Sequence, residues 1–449
     1  MLGKGMVLVL AAMTGTLLPA QTALSGAPTA ATAPAAPGEA VINLPDLVAE
    51  ALARNPAVQA GTHALAAQRA KVAQVRAWPD PTAAIGWMGN IQPFSVQTGD
   101  PSSYRSLSAM ETIPYPGKLG LRGAVAAKEA GASQWELEAV RRRLVADVKA
   151  AYYDYWFYGK ALQTAQHNRE LLSQLAQIAE ARYRVGKAAQ ADILRAQVET
   201  SMLLQKLATL EQMRSTAQAR INTLLARSPD APLAPAADLG GPVPLHQSLE
   251  ELYALGRQND TEYRRMQQVV ERNQLATDLA RKDYRPDLSV GYMYEQRPAL
   301  PDMHGLTFTV NVPVFYKTRQ REEVEQAKEE EFSAQRTRDS RQNELYFELK
   351  QNYLAAQASD RLLQLFSQGI VPQSSLALES SMASYQVGSL DFLSVIGNFT
   401  TLLDYQTDYY RELASYQTAL ARLEALTGAD LTSATNPDAG PSAPHQGAR

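Results

Sequence analysis

The stretch T-I-P-Y-P-G-K, residues 112–118, joins a predicted β-strand to a run of more than a hundred residues without proline. A second stretch, N-V-P-V-F-Y-K at residues 311–317, occupies the same place about two hundred residues later. Two other pairs recur in the same order at a similar separation: I-G-W-M with V-G-Y-M, from Ile85 and Val290, and Y-R-V-G with Y-Q-V-G, from Tyr183 and Tyr385. The chain is therefore an internal duplication. Each half holds a short helix, a β-hairpin, a proline corner and a very long helical hairpin.

Composition excludes several classes of protein. The chain has 449 residues and a net charge of −3, with acidic and basic residues interspersed, so no basic face suited to nucleic acid stands out. Cysteine is absent, which excludes disulfides, thiol catalysis and thiolate metal sites. The five histidines are scattered without ligand spacing, and no nucleotide-binding or nucleophile motif occurs. The sequence therefore predicts neither an enzyme nor a protein with a cofactor.

The N-terminus has the pattern of a secretory signal peptide. Lys4 precedes an apolar stretch from Met6 to Leu18, and small residues follow. We predict a signal peptide over residues 1–25, a flexible leader over 26–41 and a disordered tail over 429–449. The leader and the tail are both rich in Ala, Pro and Gly. Beyond the signal, no apolar run is long enough for a spanning helix, so any membrane contact is expected from β-strands or from a surface.

Helical and strand patterns define two structural repeats, 42–230 and 246–428, joined by a linker at 231–245. In the first repeat we predict a helix, two strands and a helical hairpin that turns at Gly186: Ile42–Ala77, Thr82–Ile91, Tyr104–Ile113, Lys118–Val185 and Lys187–Arg227. In the second we predict a helix over His246–Lys282, strands that alternate apolar and polar residues from Leu288 and from Leu306, a helix from Lys317 to Gly388 interrupted by Pro372, and a last helix to Thr427.

Four strands cannot close a membrane barrel alone. Every backbone polar group of a spanning strand must be paired, and the smallest barrels have about eight strands. Two copies would give eight strands with a filled interior, whereas three would give twelve and leave a lumen. The alternative is a soluble sheet that caps a coiled coil.

The duplicated plan over Ile42 to Gly428 resembles the TolC family of outer-membrane efflux ducts. The resemblance rests on the duplication, on the Tyr-x-Val-Gly turns and on the two proline corners (Pro114, Pro116 and Gly117; Pro313). It implies a mainly α protein with a membrane β part: a trimer whose 12-stranded β-barrel, with four strands per chain, continues into a long α-helical barrel. It also implies the outer membrane of a Gram-negative bacterium, contact with its lipid, and a large periplasmic part.

The same resemblance implies a function and partners. The chain would be the passive exit duct of a tripartite, RND-type efflux system for metal ions or small toxic compounds, together with a periplasmic adaptor and an inner-membrane pump. The Tyr-Pro-Gly-Lys corner is closer to the heavy-metal-efflux branch than to the drug branch, although many relatives there begin with a lipidated cysteine that this chain lacks. Two alternatives remain: a periplasmic coiled-coil adaptor or spacer that does not transport, and a type I protein-secretion duct.

The resemblance carries over to the helical turns only in part. Family members close this tip with polar links, and Asp192 and Tyr385 occupy two of the linking positions. The arginine that completes the link falls at Leu390, and the two aspartates of the inner constriction fall at Ser394 and Gly397. Asp391 is a candidate for part of the missing charge. The candidate tip and gate residues are therefore Tyr183, Gly186, Asp192, Tyr385, Gly388 and Asp391; the alternative is that both aspartates only cap helices.

Three other features have structural interpretations. The aromatic stretch from Tyr152 to Tyr158 is expected to pack between helices. Arg141, Arg142 and Arg143 are expected on a solvated helix face, a candidate contact for the adaptor. The methionines near the strands are interpreted as gap-fillers rather than as ligands for copper or silver: Met88, Met110, Met293 and Met303.

Overall fold

The computed structural model describes residues 41–431, which form nine α-helices and one four-stranded sheet. The predicted signal peptide, the leader up to residue 40 and the tail from residue 432 lie outside the described residues. The first half contains α1 (Leu44–Arg54), α2 (Pro56–Arg76), β1 (Thr82–Met88), β2 (Tyr104–Ile113), α3 (Lys118–Arg184) and α4 (Gln190–Leu224). The second half contains α5 (Leu249–Asn259), α6 (Thr261–Lys282), β3 (Leu288–Gln296), β4 (Met303–Val310), α7 (Gln320–Leu365), α8 (Val371–Val387) and α9 (Phe392–Thr427).

Two helices predicted as continuous are each broken once. The first breaks at Asn55, because Pro56 disfavours a helical conformation at the preceding residue and has no N–H to donate. The Asn55 side chain caps the new helix by accepting from the N–H of Ala57. The second breaks at Asp260, which accepts from the N–H of Tyr263 at 2.7 Å. Both breaks therefore have a local cap.

The long helix between Gln320 and Val387 changes its winding before its proline. Residues Phe366–Ile370 form a π-helical turn between α7 and α8. Pro372 cannot donate the N–H that a regular helix would require there, and a wider turn accommodates that loss. None of the helices in residues 41–431 has the length and apolar composition of a membrane span.

The long helix α3 is flanked by two shorter helices placed end to end. At 67 residues it is about 100 Å long. Both α2 and α4 pack against it, and the Asn55 side chain donates to the Leu224 carbonyl at 2.9 Å, where the end of α4 meets the start of α2. Glu50 pairs with Arg227 at the same joint. The hydrogen bond from Arg227 holds the pKa of Glu50 below its usual range.

The aromatic stretch of α3 is buried, as its interpretation as packing requires. Tyr152 and Tyr155 are each 2% exposed. Their hydroxyls also donate to carbonyls of the 231–245 segment, at Ala237 and Leu233 respectively, both at 3.3 Å. These tyrosines therefore hold the connection between the two halves against α3. Arg142 lies half-buried and donates to the Asn259 carbonyl, so the predicted solvated arginine face applies only to its neighbours.

The sheet has two chemically different faces. Its strands run antiparallel in the order β1-β2-β3-β4, and residues paired across strands point to the same side. The apolar face consists of Ala83, Ile85, Trp87, Leu107, Ala109, Ile113, Leu288, Val290, Tyr292, Tyr294, Leu306, Phe308 and Val310, with Arg105, Glu111, Gln296 and His304 towards its ends. The polar face carries mainly serine, threonine, glycine and methionine, together with Ala84, Tyr104 and Glu295. This division is typical of a membrane barrel with a lipid-facing side and a lumen-facing side.

The first proline corner, between β2 and α3, is held by ion pairs to the segment between α6 and β3 in the second half. Pro114 and Pro116 carry the chain from β2 to Gly117, whose φ of +91° is the left-handed conformation that glycine tolerates. Lys118, the first residue of α3, is 4% exposed; its Nζ lies 3.2 Å from Asp283 Oδ1 and 3.0 Å from Asp287 Oδ1. Two aspartates from the second half therefore hold a buried cation from the first.

The second corner is longer and has no such lock. Pro313 lies in a nine-residue connection between Val310 and Gln320, so α7 begins three residues after the predicted Lys317. The sequence here has no glycine to provide the left-handed turn found at Gly117. Lys317 is consequently exposed, unlike its counterpart Lys118.

Replacing Lys118 with methionine should lower the free energy of unfolding by about 1–3 kcal/mol, because two partly buried carboxylates lose their cation. Guanidinium unfolding in detergent, followed by circular dichroism, measures the change. Lys317→Met is the matched control, since it removes the exposed lysine from the equivalent corner. Equal stability of the two variants would contradict the role of the Lys118 ion pairs.

Candidate functional site at the helical turns

Two glycine turns reverse the chain at the far ends of the long helices. At the first, Gly186 has φ +71° between α3 and α4, and Lys187 donates its N–H to the Arg182 carbonyl at 2.8 Å. At the second, Gly388 has φ +86° between α8 and α9, and Ser389 donates its N–H to the Ser384 carbonyl at 2.9 Å. The repeated Val-Gly pair thus has the same physical cause in both halves: the turn needs a left-handed residue.

A side-chain hydrogen bond joins these two turns. The Tyr385 hydroxyl donates to Asp192 Oδ2 at 3.0 Å, across 193 residues of sequence. Tyr385 is only 3% exposed, and its ring packs on Phe392 with 5.2 Å between ring centroids. Two of the predicted tip residues are therefore in direct contact within a single chain.

Burial and the bond to Asp192 raise the pKa of Tyr385 to about 12, above its ordinary value of 10.0. A raised pKa means that folding favours the protonated hydroxyl, which is the hydrogen-bond donor. This contribution to stability is complete below pH 10 and is lost as the pH rises from about 10 through about 12. The contact consequently persists across the physiological pH range.

Arg182 completes this cluster, and the sequence analysis missed it. Its guanidinium carbon lies 4.5 Å from the Tyr385 ring centroid, within the range of a cation–π interaction. Its Nη2 donates to the Lys187 carbonyl at 3.0 Å, whereas Nε and Nη1 are buried without a hydrogen-bond partner among residues 41–431. The signal available in the sequence was its position one turn before Gly186, on the same helix end as Tyr183.

The other predicted tip residues have different environments. Asp391 caps α9, because its Oδ1 accepts from the Ser394 N–H at 2.7 Å. Hydrogen bonding to the side chain and the backbone N–H of Ser394 holds the pKa of Asp391 below its usual range. Tyr183 is 44% exposed, and its hydroxyl has no hydrogen bond within residues 41–431. The pseudo-equivalent tyrosines thus differ: Tyr385 is bonded at the junction, and Tyr183 faces outward.

The corner residues lie at the junction of sheet and helices rather than at the turns. Pro114, Pro116 and Gly117 precede α3, and Pro313 precedes α7. They position elements and bring no reactive group together. Across residues 41–431, no group of three or more His, Cys, Asp or Glu side chains is arranged to hold a metal ion.

Comparison with known proteins gives a family match and a consistent fold. The family model for outer membrane efflux proteins matches residues 47–227 and 252–429. Among solved structures, the fold is similar to that of a membrane protein from Pseudomonas aeruginosa (17% identity, TM-score 0.75, covering 89% of this chain and 93% of that chain). It is also similar to the outer membrane protein VceC from Vibrio cholerae (16% identity, TM-score 0.73, covering 86% of this chain and 96% of that chain).

CusC, whose structures concern folding and transmembrane channel formation, is a third similar structure (15% identity, TM-score 0.74, covering 86% of this chain and 91% of that chain). A search of curated proteins by sequence gives no match. At these identities the structural similarities establish the fold alone.

Substituting Gly388 with alanine should destabilise the second turn by about 1–2 kcal/mol, the cost of a left-handed conformation for a residue with a Cβ. The added Cβ would also lie 3.0 Å from Arg182 Nη2. Hydrogen exchange of the amides around residues 384–394 reports the change as faster local opening. Gly159→Ala is the control, because a Cβ at this helical glycine meets no heavy atom within 4 Å. Alanine favours the helix over glycine, so this variant should slow amide exchange in α3 slightly. Unchanged exchange in Gly388→Ala would show that the turn does not depend on glycine.

Proposed function

Because the chain belongs to the outer membrane efflux protein family, we propose that it is the passive exit duct of a tripartite efflux system, working with a periplasmic adaptor and an inner-membrane pump. Members of this family are outer-membrane channels with a large periplasmic helical part, so the chain is a channel protein and not an enzyme. The predicted TolC-like fold is confirmed by the family match and by the structural similarities.

The observation that carries the proposal is the sheet with two open edges. Within the described residues, β1 and β4 each pair with one neighbour only. In a membrane, their free N–H and C=O groups would each cost several kcal/mol. Four strands per chain and a lumen wide enough for transport favour three copies, with β1 of one protomer beside β4 of the next.

Exposed apolar side chains on the helices support the same assembly. Leu194, Val198 and Met202 form one stripe on α4 at helical spacing and are 50–57% exposed. On α7, Phe332 and Phe347 are 54% and 64% exposed. Large exposed apolar side chains at regular spacing favour contact between protein surfaces. We infer that copies of the chain cover the α4 stripe and these two phenylalanines.

In the proposed system, the energy for transport comes from another protein. No nucleotide motif occurs in the sequence, so the pump supplies the driving force and most of the selectivity. The Tyr-Pro-Gly-Lys corner supports an RND-type system of the heavy-metal branch, with metal ions or small toxic compounds as cargo. The family match favours a duct over a coiled-coil adaptor or spacer. No feature of the described residues favours protein secretion.

The cluster of Arg182, Asp192 and Tyr385 is the proposed restraint on the tip. In each protomer it ties the α3–α4 turn to the α8–α9 turn, so the coils cannot separate without breaking it. The two buried Arg182 donors without acceptors carry a cost that an acceptor from a neighbouring copy would remove. Opening would then consist of an outward movement of the coils about Gly186 and Gly388.

Removing the Tyr385 hydroxyl in Tyr385→Phe should increase single-channel conductance in planar bilayers, and Asp192→Ala should do the same. Each lost hydrogen bond removes about 0.5–1.5 kcal/mol from the closed state, and three copies contribute. Tyr183→Phe is the matched control, because its hydroxyl is exposed and unbonded. If neither Tyr385→Phe nor Asp192→Ala changed the conductance, the proposed restraint would be wrong.

Cysteine cross-linking tests the trimer. The chain contains no cysteine, so Ala84→Cys on β1 and Thr307→Cys on β4 introduce unique thiols. In a ring, β1 meets β4 of the next copy, so a short bis-maleimide should link the double variant into dimers and trimers but leave each single variant monomeric. Species larger than trimers, or cross-linked single variants, would contradict a closed ring of three.

A further inference from the structure

The polar face of the sheet places one methionine on each of four successive rungs. A rung here means the residues paired across the strands at one level. The rung nearest the helix corner, Thr112–Ser289–Thr309, has no methionine. The next four rungs, towards the hairpin loops, are Thr82–Met110–Gly291–Thr307, Ala84–Ser108–Met293–Gly305, Gly86–Ser106–Glu295–Met303 and Met88–Tyr104. Four of the eight methionines in residues 41–431 are therefore on this face, at four consecutive levels. The rungs are about 7 Å apart.

These methionines do not fill gaps, which revises the interpretation drawn from the sequence. They are exposed by 53% at Met88, 44% at Met110, 36% at Met293 and 47% at Met303. The extensive contacts of the strands are with one another, so no helix covers this face in the described part of the chain. A gap-filling thioether would be enclosed by neighbouring side chains.

Small residues beside the methionines leave room for their side chains. A Cβ placed on Gly305 would lie 3.8 Å from the Met293 methyl carbon, and one on Gly291 would lie 3.9 Å from Met110 Cβ. Met293 is also a diagonal neighbour of both Met110 and Met303, at the separation of about 7–8 Å that long side chains can bridge. The Met293 thioether is thus within reach of Met110 on one side and Met303 on the other, whereas Met88 lies on β1, separated from Met303 by β2 and β3 within the chain.

We propose that these four methionines form a thioether ladder that contacts soft monovalent cations, Cu(I) or Ag(I), as they pass along the barrel. The inference rests on the proposed function, because only a closed barrel turns the polar face into a lumen. It narrows the cargo from metal ions or small toxic compounds to soft cations. Three copies would place three thioethers at each level.

The chemistry of the ladder suits transit rather than storage. Thioether sulfur is a soft ligand that favours Cu(I) over hard cations such as Na⁺ or Mg²⁺. The chain has no thiolate, which would hold such ions far more tightly. Conduction requires sites that attract an ion and release it to the next one. Glu295, paired directly with Met303, adds a negative charge near the outer end of the ladder.

Silver ion in planar bilayers tests the ladder with the full-length protein. In nitrate buffer, Ag⁺ added on the side of the strands should reduce the K⁺ current through the native channel. The variant Met88→Leu, Met110→Leu, Met293→Leu and Met303→Leu keeps similar apolar volume without sulfur. We expect this variant to need an Ag⁺ concentration at least roughly tenfold higher for the same reduction of the K⁺ current. Loss of a group that only orients a metal ligand already lowers metal affinity by about that factor.

The control replaces three methionines of the helices with leucine, Met213, Met266 and Met382, and keeps Met202, which lies in the stripe proposed to contact a neighbouring copy. It should keep the native response to Ag⁺, and the response of each variant is expressed relative to its own K⁺ current without silver. A conducting native channel that ignores Ag⁺, or an unchanged response in the strand variant, would overturn the ladder while leaving the duct intact. Native protein that forms no channel would instead refute the proposed function.

Methyl NMR of the native protein gives a readout that does not depend on folding of the quadruple variant. With ¹³C-methyl methionine in detergent, Ag⁺ should shift the four strand resonances at lower concentration than the helix resonances. Single Met→Leu variants assign them. Simultaneous shifts of strand and helix resonances would overturn the proposal, because they would indicate unspecific binding of silver to thioethers.

Discussion

The unpaired edges of a four-stranded sheet are the constraint on which the rest of this protein depends. A strand in lipid has no water to satisfy its N–H and C=O groups, so β1 and β4 need partners outside their own chain. The chain cannot supply these partners, because its other described residues form helices, connecting segments and only one isolated β-bridge. Assembly is therefore a condition for placing the sheet in a membrane rather than a later addition to a finished fold.

Each repeat of the internal duplication contributes one β-hairpin and one set of helices. The two halves are not equivalent where they meet. The first corner is short, turns at Gly117 and carries the buried Lys118 between Asp283 and Asp287. The second corner is longer and leaves Lys317 exposed. One half therefore acts as the fixed joint between sheet and helices, and the other half supplies the groups that hold it.

The same asymmetry recurs at the opposite end of the helices. Both turns contain Tyr-x-Val-Gly, yet only Tyr385 is buried and bonded to an aspartate, whereas Tyr183 is exposed. A duplicated motif thus provides the same backbone turn twice and a side-chain link once. Duplication conserves local backbone requirements, and each copy's packing then decides which side chains interact.

The sequence by itself determined the duplication and the types of nearly all the elements, because these follow from local periodicity. It also predicts oligomerisation, because four strands cannot pair all their backbone groups within one chain. The helix limits were less accurate: the breaks at Asn55 and Asp260 lie inside strongly helical patterns and depend on caps of single residues.

Only the tertiary structure decided which residues far apart in sequence meet. The bond between Tyr385 and Asp192, the position of Arg182 over the tyrosine ring and the ion pairs of Lys118 join segments more than a hundred residues apart or depend on exact packing geometry. Strand register likewise decided that Met88, Met110, Met293 and Met303 share one face, one on each of four successive rungs. A shift of one residue in any pairing would move its methionine to another level and to the opposite face, and local sequence carries no record of that choice.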